Sequence, residues 1–263
     1  MRTVLLTVSY DGTDFCGWQR QRGAAGTPAV RTVQGVLETA LETLHGVPVK
    51  LSGSGRTDSG VHARAQAAHF FSPIDSIPVE NYPRALNGQL PRDVRVTDAC
   101  LVPADFHARY SATSRIYRYF MFCGSQVQAV QAPYVWHLRA ELNLTVMNAM
   151  AACLSGEMDC ASFAAAGDAS RSTYRYIERA HFFTVPGFPD GTLIVFEIAA
   201  NAFLWKMVRT ITGTIVTLAR TGKGVDEFQK IIAACDRRRA LVTAPPNGLF
   251  LWEVQFSGVR RPV

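Results

Sequence analysis

The sequence predicts an α+β chain of two ferredoxin-like halves, each β-α-β-β-α-β, with mixed, largely antiparallel sheets. Three observations predict it. Segments in which β-branched and aromatic residues alternate with period two are interleaved with segments of helical period, the same order of elements occurs twice, and glycine or aspartate turn signals separate them. A chain of 263 residues is long enough for two hydrophobic cores. The expected domains are residues 1–104 and 105–263, split near residues 103–106.

Residues 4–10 alternate as a strand and end at Asp11-Gly12, a turn pair. Residues 23–28, small and Gly/Ala-rich, predict a mobile loop. Val33, Val36, Leu37, Ala40, Leu41 and Leu44 recur at helical spacing, with Thr32 as N-cap and Gly46 as the stop. Residues 47–52 read as a strand, followed by the turn Gly53-Ser54-Gly55-Arg56-Thr57-Asp58-Ser59-Gly60 and a strand over 61–71. A helix over 80–90 and a strand over 94–102 close the first half. In the second half, 111–123 read as a long strand and 145–154 as a helix with Met147, Met150, Ala151 and Leu154 on one face. Residues 179–184 and 193–200 form a strand pair, 203–219 and 225–235 are helices, and 249–256 is the last strand.

Hydrophobic residues at 48% and charged residues at 18% exclude wholesale disorder and a fibrous repeat. The most apolar stretch, 208–219, carries Arg209 and several Thr and Gly breaks, so no membrane helix is expected. The first residues lack a signal-peptide pattern, and a cytoplasmic location is expected. The net charge of +6 favours polyanions. The basic residues are nearly all arginine, whose planar fork matches phosphate, since only Lys50, Lys206, Lys223 and Lys230 are lysine. The six cysteines show no C-x-x-C pair, which argues against a disulfide framework and a structural zinc; Cys153 and Cys160, two helical turns apart, read as core packing.

The segment from Gly53 to Ala63 carries the chemistry. Its glycines permit backbone angles and close approaches that other residues avoid. Asp58 stands at the tip with Arg56 two residues before it, and a nearby guanidinium favours an ionised carboxylate, suited to a nucleophile. The bland reading is a hairpin in which Asp58 bonds its own backbone. A divalent metal on Asp58, His62 and His69 is not expected, because alternation along 61–71 sets the two histidines on opposite faces.

The stretch GRTDSGVHA is very similar to the signature of the tRNA pseudouridine synthase A family, which acts on the anticodon arm. In the same order as in that family come YDGTDFCGWQRQ (Tyr10 to Gln21), TVQGVLE (Thr32 to Glu38), FHARYSATSRIYRY (Phe106 to Tyr119), FLWKMVRTITG (Phe203 to Gly213) and TAPPNGLFL (Thr243 to Leu251). The resemblance spans nearly the whole chain. It implies isomerisation of uridine to pseudouridine at tRNA positions 38, 39 and 40, with the target nucleotide flipped out. It also implies a cytoplasmic homodimer that uses no cofactor and no metal, its halves enclosing a catalytic cleft.

The family's single catalytic aspartate falls on Asp58. Its active-site tyrosine falls on Tyr117, whose ring would stack on the uracil and whose hydroxyl would assist loss of the C5 proton. Its basic partner of the aspartate falls on Arg209, its RNA-contacting motif arginine on Arg56, and its uracil-pocket apolar residue on Leu249. Apart from the resemblance, Tyr117 and Leu249 read as core strand residues, and Arg209 as a helix arginine that reaches solvent or, if buried, needs a partner. Arg20, Arg22, Arg64, Arg84, Arg109 and Arg171 lie near the motifs and are candidate phosphate contacts. The run Arg237-Arg238-Arg239 is equally well explained by a solvated face. Trp205-Lys206 stands where family members vary, often with histidine or asparagine, and bears on RNA contacts. The alternatives are a catalytically silent RNA-binding protein on the same scaffold and a metal-dependent hydrolase using Asp58 and the histidines.

Overall fold

The computed structural model describes residues 2–21, 30–139, 141–187 and 191–261. The loop expected over residues 23–28 and the candidate Arg22 lie outside the described residues. The chain divides into two compact units, Met1–Thr113 with Leu251–Gly258, and Ser114–Phe250 with Val259–Val263. Among the described residues, no helix is long and apolar enough to cross a membrane.

The first unit holds β1 (Arg2–Tyr10), α1 (Val33–His45), β2 (Ser52–Gly53), β3 (His62–Ser72), α2 (Tyr82–Asn87) and β4 (Val94–Val102), which is the expected β-α-β-β-α-β order. The sheet runs β4-β1-β3 with β2 on β3, every pair antiparallel. Val4, Leu6 and Val8 of β1 are fully buried, as period-two alternation demands. The helix α1 lays Val33, Leu37, Ala40 and Leu41 on this core, each large side chain contributing about 1.5–3 kcal/mol on full burial. Thr32 Oγ1 accepts from the Gly35 amide at the start of α1, and Gly46 stops it in the left-handed region at φ 71°.

Two first-unit elements are shorter than the sequence pattern suggests. The strand expected over 47–52 survives only as Ser52–Gly53. Pro48 lacks a ladder donor, and the Leu51 backbone is taken by α1 side chains: its amide donates to Glu38 Oε1 (3.1 Å) and its carbonyl accepts from Gln34 Nε2 (3.0 Å). The helix expected over 80–90 begins with a 3-10 turn, Val79–Asn81, and ends at Asn87. There the Asn87 side-chain amide pairs with both backbone groups of Val96 on β4 at 2.8 Å.

The second unit holds β5 (Ser114–Cys123), β6 (Trp136–Leu138), α3 (Leu144–Ala151), β7 (Gly156–Asp159), β8 (Tyr174–Pro186), β9 (Thr192–Ala200), α4 (Met207–Arg220) and α5 (Val225–Ala233). The last strand, β10 (Leu249–Gln255), has Leu249 and Phe250 in this unit and continues from Leu251 in the first. The sheet runs β5-β9-β8-β7 with antiparallel pairs, and β6 lies parallel on β5. The arrangement of β5, β9 and β8 repeats that of β1, β3 and β2. The short strands β6 and β7 were not visible in the pattern. Because α3 ends at Ala151 and β7 follows, Cys153 and Cys160 do not share a helix; only Cys160 is buried, and burial pushes its thiol up to about 12.

The helix expected over 203–219 starts four residues later, at Met207. The reason is the turn before it, in which Lys206 is held at φ 60°, outside the helical range.

Candidate active site

In the first unit, the loop from Gly53 to Gly60 is fastened between β2 and β3 by backbone and side-chain bonds. The Thr57 carbonyl accepts from the Trp18 amide (3.1 Å), and the buried Thr57 hydroxyl meets Tyr10 Oη at 2.7 Å. The Asp58 carbonyl accepts from the Val61 amide at 3.2 Å, and Ser59 Oγ donates to the Phe15 carbonyl at 3.1 Å. Gln66 Nε2 donates to the Gly55 carbonyl at 2.9 Å. Segment 12–18 can lie this close only because Gly17 has no side chain: a Cβ there would sit 2.6 Å from the Thr57 carbonyl oxygen. The backbone on both sides of Asp58 is therefore fixed, Asp58 is half-buried and Arg56 is exposed.

His62 and His69 are engaged elsewhere. His62 Nδ1 accepts from the Gly12 amide (3.0 Å) beside Asp11, and His69 Nδ1 accepts from the Ala108 amide (3.2 Å). Burial, and then the facing His107, lower the pKa of His69.

In the second unit, period two along β5 sends Tyr117, Tyr119 and Met121 to one face, all buried. The Tyr117 ring meets Phe203 edge-on at 5.1 Å. Tyr119 Oη donates to the Pro245 carbonyl at 2.8 Å. Burial pushes the Tyr119 hydroxyl pKa up, and the Arg209 guanidinium opposes that shift. Arg209, half-buried on α4, donates from Nε to the Ala244 carbonyl at 2.8 Å, while its own carbonyl accepts from the Ala244 amide at 3.0 Å. This segment reaches α4 because Gly213 carries no Cβ, which would lie 2.1 Å from the Val242 carbonyl oxygen.

The same segment continues through the turn Pro246–Gly248, where Asn247 Nδ2 donates to the carbonyls of Ala132 and Val135, and delivers the buried Leu249 to the start of β10. Segment 243–249 thus passes Arg209, Tyr119 and Leu249 in turn. Arg56 and Asp58 share one loop of the first unit, and Tyr117, Arg209 and Leu249 belong to the second. Reasoning on sequence missed Tyr119, Phe203 and the Ala244 carbonyl as anchors. The usable signal was a glycine inside an apolar helix, Gly213, which costs stability unless something approaches closely.

Of the arginines proposed to meet phosphate, Arg20, Arg64, Arg84, Arg109 and Arg171 are all exposed. Arg20 pairs with Glu38 at 3.3 Å, and Arg64 lies over the Trp252 ring at 4.9 Å. The run at 237–239 is partly structural. Asp236 grips Arg238 (2.7 Å), and Arg237 Nη2 donates to Thr243 Oγ1 at 2.9 Å, steadying the start of the segment that meets Arg209.

An α+β chain with these motif-bearing segments falls in the class of the pseudouridine synthases: the family model for tRNA pseudouridine synthase matches residues 6–111 and 150–257. The chain is 49% identical over 255 residues to the tRNA pseudouridine synthase A of Treponema denticola, covering 97% of this chain and 93% of that protein. It is 45% identical to that of Treponema pallidum (94% and 85%) and 42% identical to that of Halalkalibacterium halodurans (95% and 90%). The chain belongs to the tRNA pseudouridine synthase family.

Proposed function

We propose that this protein isomerises uridine to pseudouridine in the anticodon stem-loop of tRNA, at positions 38, 39 and 40, acting in the cytoplasm as a homodimer. The observation that carries the reading is near-full-length similarity to the tRNA pseudouridine synthase A of Treponema denticola, with the family model matching the segments that hold Asp58 and Arg209. In the reaction the N1–C1′ bond breaks, the uracil turns over and a C5–C1′ bond forms; N1 gains a proton and C5 loses one. The change is redox-neutral and transfers no external group, so an ionised carboxylate and a pocket that retains the loose base are sufficient.

Asp58 is assigned as the nucleophile, and its support is the clamped backbone on either side of it. Tyr117 stacks on the uracil and assists loss of the C5 proton, with Phe203 backing its ring. Arg209, fixed at Nε by Ala244, is the cation that pairs with the Asp58 carboxylate. Leu249 lines the uracil pocket, and the exposed Arg56 contacts the RNA and helps extrude the target nucleotide, a step that costs a few kcal/mol.

The test is tritium release from tRNA carrying 5-tritiated uridine, in EDTA, with transcripts in which position 38, 39 or 40 is cytidine. Release that falls only when these positions are replaced supports the reading. RNA binding without release moves it to a silent binding protein, and release abolished by EDTA moves it to metal chemistry.

A further inference from the structure

Of the four tryptophans, Trp18 is buried, Trp136 and Trp252 are half-buried, and Trp205 is exposed at 45%. An exposed aromatic is ordinary on a protein surface. This one, however, is held in place by costly means. Its amide donates to Asp168 Oδ2 (2.5 Å), and its carbonyl accepts from the Ala165 amide (2.9 Å). Asp168 is itself tied down by the Ser170 amide at 2.8 Å. Burial raises the Asp168 pKa, but the bonds from Ser170 and Trp205 outweigh it and hold the carboxyl below its ordinary range.

Gly167 runs past the indole, with Cζ3 3.9 Å from where a Cβ would stand. Lys206, which follows Trp205, is held in the left-handed region at φ 60°, which costs a non-glycine residue roughly 1–2 kcal/mol. Its Nζ lies 4.6 Å from the indole centroid. Strain of this kind persists only where surrounding structure enforces it. The segment concerned carries Phe203 against Tyr117 at one end and Arg209 at the other.

We propose that Trp205 is a stacking platform for one unpaired base of the RNA loop that carries the target uridine, next to the target itself. The inference rests on the function proposed above and adds a substrate-contacting residue to it. A rigid indole suits the task, because any base presents a π-face to it. Stacking therefore holds a loop nucleotide without reading its identity, as a site serving several neighbouring positions requires. The adjacent ammonium adds a cation where the strand's phosphates pass.

The test measures binding of an anticodon stem-loop RNA, and of the same RNA made abasic at each loop position in turn, to wild type, Trp205→Ala and Trp205→Phe. Trp205→Ala is expected to bind the intact RNA about 5- to 150-fold more weakly, and Trp205→Phe to recover most of the loss. In an RNA with a single target uridine, which fixes one binding register, one abasic position should erase the difference between wild type and Trp205→Ala. The slope of log K against log salt should be unchanged, since no phosphate contact is removed. Equal binding by wild type and Trp205→Ala, or a deficit identical for every abasic RNA, overturns the proposal. Tritium release by wild type in parallel keeps the two readings apart: binding without release rejects the isomerase function, while the abasic series still decides the stacking.

Discussion

Alanine at Gly213 sets two effects of opposite sign against each other. Helix propensity alone favours the change by about 0.8–1.0 kcal/mol, since the position lies inside α4. The packing opposes it. The new Cβ would lie 2.1 Å from the Val242 carbonyl oxygen and 2.9 Å from the Ala244 amide nitrogen, both backbone atoms that no rotamer change can move. Restoring ordinary contact at 3.4 Å shifts segment 242–244 by about 1.3 Å.

That shift breaks both Arg209–Ala244 bonds. The neutral bond is worth about 0.5–1.5 kcal/mol and the guanidinium bond about 1.5–3 kcal/mol. After the gain in propensity, a net destabilisation of about 1–4 kcal/mol remains. Urea unfolding followed by far-ultraviolet circular dichroism reads it directly, and single-turnover tritium release should slow because Arg209 loses its support. A Gly213→Ala protein as stable as wild type, or more stable, would refute the close approach and with it the account of how Arg209 is positioned.

Three further outcomes are expected. Tyr119→Phe leaves the half-buried Pro245 carbonyl without its 2.8 Å donor, and stability should drop by about 0.5–1.5 kcal/mol in urea unfolding; an unchanged midpoint would show that the bond contributes nothing. Arg209→Met should slow single-turnover isomerisation while tRNA affinity holds within a few-fold, and unchanged rates would dismiss the role proposed for Arg209. His69 has a folded pKa below its ordinary 6.5, because burial and His107 disfavour its charge. The unfolded chain therefore binds the proton more readily, and stability present above pH 6.5 is lost as pH falls through the lower folded value. Unfolding midpoints at pH 7.5 and 5.5 should differ more for wild type than for His69→Gln, and equal differences would contradict this.

The first half of the fold was legible because its signals are local. Thr32, the 3-4 spacing from Val33 and the stop at Gly46 fix α1 without reference to anything distant. The strand at 47–52 was not, because Gln34 and Glu38 of α1 intercept the Leu51 backbone, and no pattern within 47–52 encodes those bonds. The late start of α4 depends likewise on Asp168, nearly forty residues before it, holding Trp205 out of the helix. In the site, the Asp58 loop announced itself through glycines crowded around one carboxylate. The roles of Tyr119, Gly213 and Gly248 did not, for each is set by a chain segment that arrives from elsewhere. Gly248, for example, lies where a Cβ would meet the Phe120 carbonyl oxygen at 2.6 Å.

The central claim is that one carboxylate, Asp58, carries the reaction. The most direct measurement compares wild type with Asp58→Asn in multiple-turnover tritium release from tRNA, alongside tRNA binding by each. The account predicts steady release by wild type, none by Asp58→Asn, and affinities within a few-fold of one another. Steady turnover by Asp58→Asn would contradict it.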